Sequence, residues 1–263
     1  IACAMNDVAR FYDDLSENYH LLFEDWDRSI AWQADVLDGL LSKLCGAGPK
    51  RILDAACGIG TQALGFAAKG HRVDGSDLSP AAIARAKREA ERKGLALRLT
   101  VADLRMLSGY HAGPYDVVYA LDNVLPHLEH DEDLEAAVRE MASLLAPGGL
   151  FLASLRDYDV LREERPRATT PKVFGGGDSR RVVFQVWDWR RDRRGYRINQ
   201  YIVQHRPDSR PETKVFSTTY WTLTRDRLTA LLQRYGLEDV RWLAPEDSGY
   251  YQPIVAARTA ASS

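Results

Sequence analysis

Three aspartates each close a short, largely apolar run. Asp54 follows RIL, Asp77 ends RVDGSD and Asp103 ends LRLTVAD. A carboxylate is an acceptor-only group, so each could take an ammonium group, ribose hydroxyls or an amino group of a base. Gly58 and Gly60 follow Asp54 in DAACGIGTQA, where glycine permits positive φ and lets a ligand approach the backbone. Further along, Arg156 stands in SLRDYD, directly after the apolar run GLFLA. A guanidinium there could receive a carboxylate through two parallel N–H bonds, or pair with Asp157 or Asp159 at the surface.

Gly58 to Ala63 also fits the dinucleotide-binding pattern GxGxxG/A. Asp54 sits four residues before Gly58, where it would crowd a pyrophosphate but suit a cationic amino group. Asp77 is placed to grip both ribose hydroxyls, a feature shared with nicotinamide enzymes. Asp103 is placed to accept from an adenine amino group. Together they describe a nucleoside that carries an amino acid and no phosphate, which is S-adenosylmethionine.

The elements that position these residues read as an α/β chain. Residues 7–45 look helical, with Ile30, Leu37, Leu41 and Leu44 near one face. Strands are expected at RILDA, RVDGSD, LRLTVAD, YDVVYAL and GLFLASL, with helices after Ser79-Pro80 and from Asp131, and a break at APGG, 146–149. Ser79 and Pro80 are a hydroxyl cap followed by a proline where no N–H is needed. Strands alternating with helices imply a parallel sheet covered on both faces. RVVFQVW, YRINQYIVQH and KVFSTTYWTL then suggest a three-stranded antiparallel meander. The helix DRLTALLQRYG and the strands DVRWL and YQPIVAA complete the chain. The expected fold is a doubly wound, mostly parallel seven-stranded sheet with an antiparallel β insertion. The expected division is 7–160 for the lid helices and cofactor core, 161–223 for the insertion as a substrate cap, and 224–258 for the completing helix and strands.

The chain has 263 residues, a length that suits one large α/β domain or one with an insertion. A net charge of -2 does not point to nucleic acid or an anionic membrane. No apolar run approaches the ~18–20 residues of a membrane span. Three cysteines, none in CxxC, suit a reducing cytoplasm. Met5 is the expected natural start, so Ile1–Ala4 are excluded from fold reasoning. His127 and His130 in HLEH lack a third convincing metal ligand, and no metal is expected. Cys57 reads as a small packed side chain. Asn123 could instead cap a turn, and Tyr201 and Tyr220 could be strand packing.

The ordered set LDAACGIGTQ, DGSDLSP, ADL, YDVVYALDN and LAPGGLFLAS resembles the class I S-adenosylmethionine-dependent methyltransferases. DNVLPHL and SLRDYD are similar to glycine N-methyltransferase and the glycine/sarcosine N-methyltransferases. Ala56 stands where the family more often has glycine. The resemblance implies a cofactor site of Tyr12, Tyr19, Arg28, Asp54, Ala56, Gly58, Gly60, Asp77, Leu78, Asp103, Leu104, Leu121 and His127. It implies that Arg156 holds a substrate carboxylate, Asn123 the amine region, and Tyr158 and Tyr201 the rest of the pocket. One pocket tyrosine of the family is unmatched, since this chain has VFGGG at 173–177.

The resulting expectation is N-methylation of a small amine, an amino acid such as glycine or sarcosine or a carboxylate-bearing metabolite, leaving S-adenosyl-L-homocysteine. O- or C-methylation of a natural product, RNA methylation by the arginine-rich Arg190–Arg197 stretch, and cofactor binding without catalysis remain open. No membrane partner is expected, nucleic acid is disfavoured, and related enzymes include homo-oligomers. No general base is assigned, because an α-amino pKa of ~8 leaves neutral amine at pH 7. Tyr12, Tyr19 and Trp26 have no evident place in a sheet core, so the amino-terminal segment is expected to be a lid.

Overall fold

The central strands bury both faces, which explains their almost unbroken apolar sequences. Ile52, Val117, Tyr119, Leu150 and Leu152 pack on one side, while Leu53, Val118, Phe151 and Ala153 pack on the other. This is the two-residue alternation of a strand, used twice over. The computed structural model describes residues 2–176, 179–192, 194–207 and 209–261, with side chains from residue 7 onward.

Helix α1 (Ala2–Ser16) is followed by a 3-10 turn (Tyr19–Leu22) and α2 (Trp26–Cys45), so the expected 7–45 helix is interrupted. Asp25 starts α2 by accepting from the Arg28 amide at 3.0 Å. Next come β1 (Arg51–Asp54), α3 (Thr61–Ala68), β2 (Arg72–Asp77), α4 (Pro80–Lys93), β3 (Arg98–Val101), β4 (Tyr115–Ala120), α5 (Asp131–Ser143) and β5 (Leu145–Ser154). Beyond them lie α6 (Tyr158–Glu164), β6 (Lys172–Gly176), β7 (Ser179–Trp189), β8 (Gly195–Gln204), β9 (Glu212–Trp221), α7 (Arg225–Arg234), β10 (Leu237–Leu243), α8 (Pro245–Ser248) and β11 (Ile254–Thr259).

The seven-stranded sheet has the order β10-β11-β5-β4-β1-β2-β3, parallel except where β11 runs between β5 and β10. The order reverses between β1 and β4, and a cleft opens at such a switch point. The sheet has the expected strand number and mostly parallel pairing. The helix from Asp131 ends at Ser143, just before APGG, but β5 already begins at Leu145 and takes 146–149 as an irregularity in register. Gly148 has φ 70°, and its amide bonds the Ala260 carbonyl at 3.0 Å, so the strand bulges and continues.

The insertion is a four-stranded antiparallel sheet, order β6-β7-β8-β9, one strand more than expected. Of the VFGGG stretch, residues 173–176 lie in β6, and Gly177 is outside the described residues. Helix α6 was also not expected; its seven residues are too few for a periodic signal. Trp26 belongs to the packed core, since it is buried and its indole donates to Thr61 Oγ1 at 3.0 Å.

Candidate functional site

The turn after β1 is built around two left-handed glycines, Gly58 at φ 53° and Gly60 at φ 93°. Gly60 also sits against Leu64 and Ala86, so a Cβ there would meet side-chain atoms at 3.2 Å. Ala56 is absent from the non-glycine residues with positive φ, so its Cβ costs no strain. Asp77, at the end of β2, ties this turn to the next helix. Its Oδ2 accepts from the Gly58 amide at 2.8 Å and its Oδ1 from the Ser79 amide at 2.9 Å. Burial raises its carboxyl above the usual range.

A cavity of about 90 Å³ opens beside this turn. Tyr12, Tyr19, Ala56, Gly58, Asp77, Leu78, Leu104, Leu121 and His127 line it. Leucines 78, 104 and 121 give the apolar walls a flat base needs, and Asp77 the acceptor a ribose needs, so the residues present fit S-adenosylmethionine. The imidazole of His127 lies 2.9 Å from the Tyr12 hydroxyl, and burial lowers its pKa to about 3, so the ring is neutral.

Four expected cofactor residues do not line this cavity. Gly60 stands behind the turn as packing. Arg28 is exposed on α2; its backbone amide is used by the Asp25 cap. Asp54 is only 1% exposed and lies beneath the turn, accepting from the Tyr119 hydroxyl at 2.8 Å and the Ala56 amide at 3.3 Å. Burial raises its carboxyl to about 8. Asp103 is held by Arg105, which donates to Oδ2 at 2.6 Å and also pairs with Asp133. Burial works against ionisation there, yet Arg105 keeps the carboxyl below its ordinary value.

A second cavity of about 550 Å³ adjoins the first through Tyr12, Tyr19 and Asp122. Asp122 and Asn123 both have left-handed backbones, φ 62° and 68°, at the end of β4. Strained backbone at a strand end that faces a cleft is common at functional sites. The Asp122 amide donates to Ser154 Oγ at 2.7 Å, and Asn123 Oδ1 accepts the Arg156 amide at 3.0 Å, so β4 and β5 fix each other's ends. Asn123 Nδ2 donates to the Tyr158 hydroxyl at 2.9 Å. Tyr158 is therefore support behind Asn123 and does not line the cavity.

Arg156 faces this cavity. It donates to the Tyr196 hydroxyl at 2.8 Å and to Gln185 Oε1 at 3.1 Å. Its guanidinium carbon is 4.9 Å from the Trp187 ring and 4.9 Å from the Tyr220 ring. Asp157 and Asp159 turn instead to Arg225, the former at 2.6 Å. Among the described residues, no carboxylate lies within ion-pair distance of Arg156.

Tyr201 requires a correction. On β8, Tyr196, Ile198, Gln200 and Ile202 are buried, so the intervening Tyr201 points to the other face, where it stacks on Phe184 at 4.8 Å. The alternation of YRINQYI held that signal. Gln62, Asp122, Gln185, Trp187, Tyr196 and Tyr220 were not assigned to the site from sequence; each acts through a long-range contact that one sequence does not display. Among the described residues no group of three or more His, Cys, Asp or Glu could hold a metal ion.

Fold, glycine turn and strand-end residues together define a methyltransferase architecture. Residues 52–149 match the family model of a methyltransferase domain. The glycine/sarcosine N-methyltransferase of Aphanothece halophytica is 26% identical over 87% of this chain and 83% of its own length. That of Parasynechococcus marenigrum is 33% identical over 57% of this chain, which spans only 55% of that relative. A sugar N-methyltransferase from Streptoalloteichus superposes with TM-score 0.73 at 18% identity, covering 94% of both chains; at that identity the likeness concerns the fold. The protein is an S-adenosylmethionine-dependent methyltransferase.

Proposed function

We propose that the protein N-methylates a small amine that carries a carboxylate, an amino acid or a similar metabolite. The observation that carries this reading is Arg156, a cation without a carboxylate partner among the described residues, in the cavity next to the cofactor site. A planar guanidinium with free N–H groups takes a carboxylate in two parallel bonds. The likeness to glycine/sarcosine N-methyltransferases supports the same reading.

S-adenosylmethionine supplies the electrophilic methyl group when bound. The chain's residues then bind, orient and exclude water. In this reading Asp77 holds the ribose, Leu78, Leu104 and Leu121 enclose the base, and Tyr12, Tyr19 and His127 close the far side. Asp103 contributes from the rim, with Arg105 beside it, and Asp54 and Gly60 shape the turn from beneath. Asn123 and Arg156 hold the acceptor. No side chain is given the role of general base, since His127 is too weakly basic for it. The insertion, 161–223, serves as the substrate cap over the 7–160 core, which 224–258 completes. No helix among the described residues is long and apolar enough to cross a membrane; we place the enzyme in the cytoplasm as part of this proposal.

The test is incubation with labelled S-adenosylmethionine and a panel of amino acids, their amides, hydroxy acids and RNA. Label should enter amines that bear a carboxylate. Label in the hydroxy acids or RNA alone would replace this reading with O-methylation or nucleic-acid modification.

A further inference from the structure

The register of the insertion sets out what lies beyond Arg156. Strands β7 and β8 pair Trp187 with Ile198, Gln185 with Gln200 and Val183 with Ile202. These pairs share the face toward the core, as the burial of Trp187, Ile198, Val183 and Ile202 requires. Arg156 rests on the first two pairs, through Trp187 and Gln185. One step further, about 7 Å along the strands, lies the pair Val183 and Ile202. Here the insertion meets the amino-terminal segment: Phe11 and Leu15 pack with Val183 and Ile202 in one apolar cluster. Phe11, Leu15, Leu22 and Val183 also line the larger cavity.

The amides between the two ends are already engaged. Gln200 donates to the carbonyls of Phe184 and Tyr201, at 3.1 and 3.2 Å, and accepts from Gln185 Nε2 at 2.8 Å. Gln185 Oε1 accepts from both Arg156 and Trp187. The cavity thus has a cationic end at Arg156, a self-satisfied amide step and an apolar stretch at Phe11, Leu15 and Val183, bordered by Lys172, which pairs with Val183 from β6. Its 550 Å³ falls in the range of pockets that enclose sizeable organic ligands, and a molecule with no side chain would leave the apolar end unfilled.

We infer that the preferred acceptor is an α-amino acid with a bulky apolar side chain, leucine- or phenylalanine-like, and not glycine. The inference rests on the carboxylate reading of Arg156. The carboxylate binds at Arg156, the amine faces the junction at Asp122 and Tyr12, and the side chain runs toward Val183, Phe11 and Leu15.

The experiment compares kcat/KM for glycine, sarcosine, leucine, phenylalanine and leucinamide, with wild-type protein and two variants. Leucine should exceed glycine by about tenfold or more, as burial of several methylenes requires. Val183→Trp, which fills the apolar end, should lower the leucine-to-glycine ratio by about tenfold. Val183→Ala should move the preference toward phenylalanine, and thermal melts would confirm that both variants fold. Glycine as the best acceptor, or ratios that neither variant moves, would overturn the side-chain inference while leaving Arg156 its role. Leucinamide as good as leucine would overturn the carboxylate reading itself, and this inference with it.

Discussion

Asp13 on α1 accepts from the backbone amide of Ala81 at 3.1 Å, in the first turn of α4, and also from the Ser79 hydroxyl. A carboxylate of α1 thus completes the amino terminus of the helix that follows Asp77. Anions are favoured there by the free amides and the helix dipole. Glu17 adds pairs with Arg85 and Arg88, and Tyr12 adds its bond to His127.

The lid should therefore answer to the cofactor. Tyr12 and Tyr19 line both the cavity beside the glycine turn and the larger one next to it, so a cofactor bound there would rest against this segment and hold it in place. Limited proteolysis should cut near residues 17–25 readily in ligand-free protein and slowly with S-adenosylmethionine. Asp13→Ala should speed cutting of the ligand-free form, at a cost near ~1 kcal/mol, the usual worth of a helix cap. Identical cutting with and without cofactor would remove the lid.

Asp77 tests the cofactor site. Asp77→Ala should weaken S-adenosylmethionine binding by on the order of 1.5–3 kcal/mol, typical of hydrogen bonds to a charged group. Because Asp77 also holds the Gly58 and Ser79 amides, Asp77→Asn separates the roles: it keeps one acceptor for the turn and loses the charge. Calorimetry should show Asp77→Asn between wild type and Asp77→Ala. Tight NADH binding by a protein that ignores S-adenosylmethionine would refute the assignment.

Asp54 gives ligand-free protein a pH dependence. Burial raises its carboxyl to about 8, whereas in an unfolded chain it titrates near ~3.9. Between those values the folded chain keeps a proton that the unfolded chain has released. Stability then falls as pH rises from about 4 to about 8, by up to about 1.4 kcal/mol per pH unit, and is flat above. Asp77 and Asp122, also raised by burial, act in the same direction. Thermal melts from about pH 5 to about pH 8 should show Tm falling, and Asp54→Asn should flatten the slope. Parallel curves for the two proteins would show that Asp54 does not titrate in this window.

Much of this was legible in the sequence because it is local. The glycine turn, the Ser79-Pro80 cap and the apolar strands carry their signals within a few residues, and the mostly parallel sheet follows from their alternation with helices. The strand-end positions of Asp77, Asn123 and Arg156 follow from the same pattern. What was missed depends on the direction a side chain takes or on distance in sequence. Asp103 reads as a free acceptor until Arg105 is seen folded back onto it. Tyr201 reads as a pocket residue until the burial of Tyr196 and Ile198 shows which face it occupies. Asp122 collects the hydroxyls of Tyr250 and Tyr251 from the other end of the chain, a meeting that tertiary structure alone reveals.

Arg156 is the decisive residue for substrate. Its partners Tyr196 and Gln185 are neutral, and its neighbours Trp187 and Tyr220 offer ring faces, so the positive charge is solvated without being neutralised. An incoming carboxylate would supply the missing charge. Arg156→Ala should therefore lose about 2–5 kcal/mol of transition-state stabilisation, the range for truncating one member of a desolvated pair. Arg156→Lys should recover little, because an ammonium cannot reproduce the planar fork or span Tyr196 and Gln185 together. Cofactor affinity should change little in either variant, since Asp77 and the leucine walls belong to the other cavity. Titration with S-adenosylmethionine, followed by methyl-transfer kinetics on the best acceptor, separates the two effects. Unchanged KM and kcat in Arg156→Ala would mean that the guanidinium serves the packing of Trp187 and Tyr196, and the acceptor would then be an amine without a carboxylate.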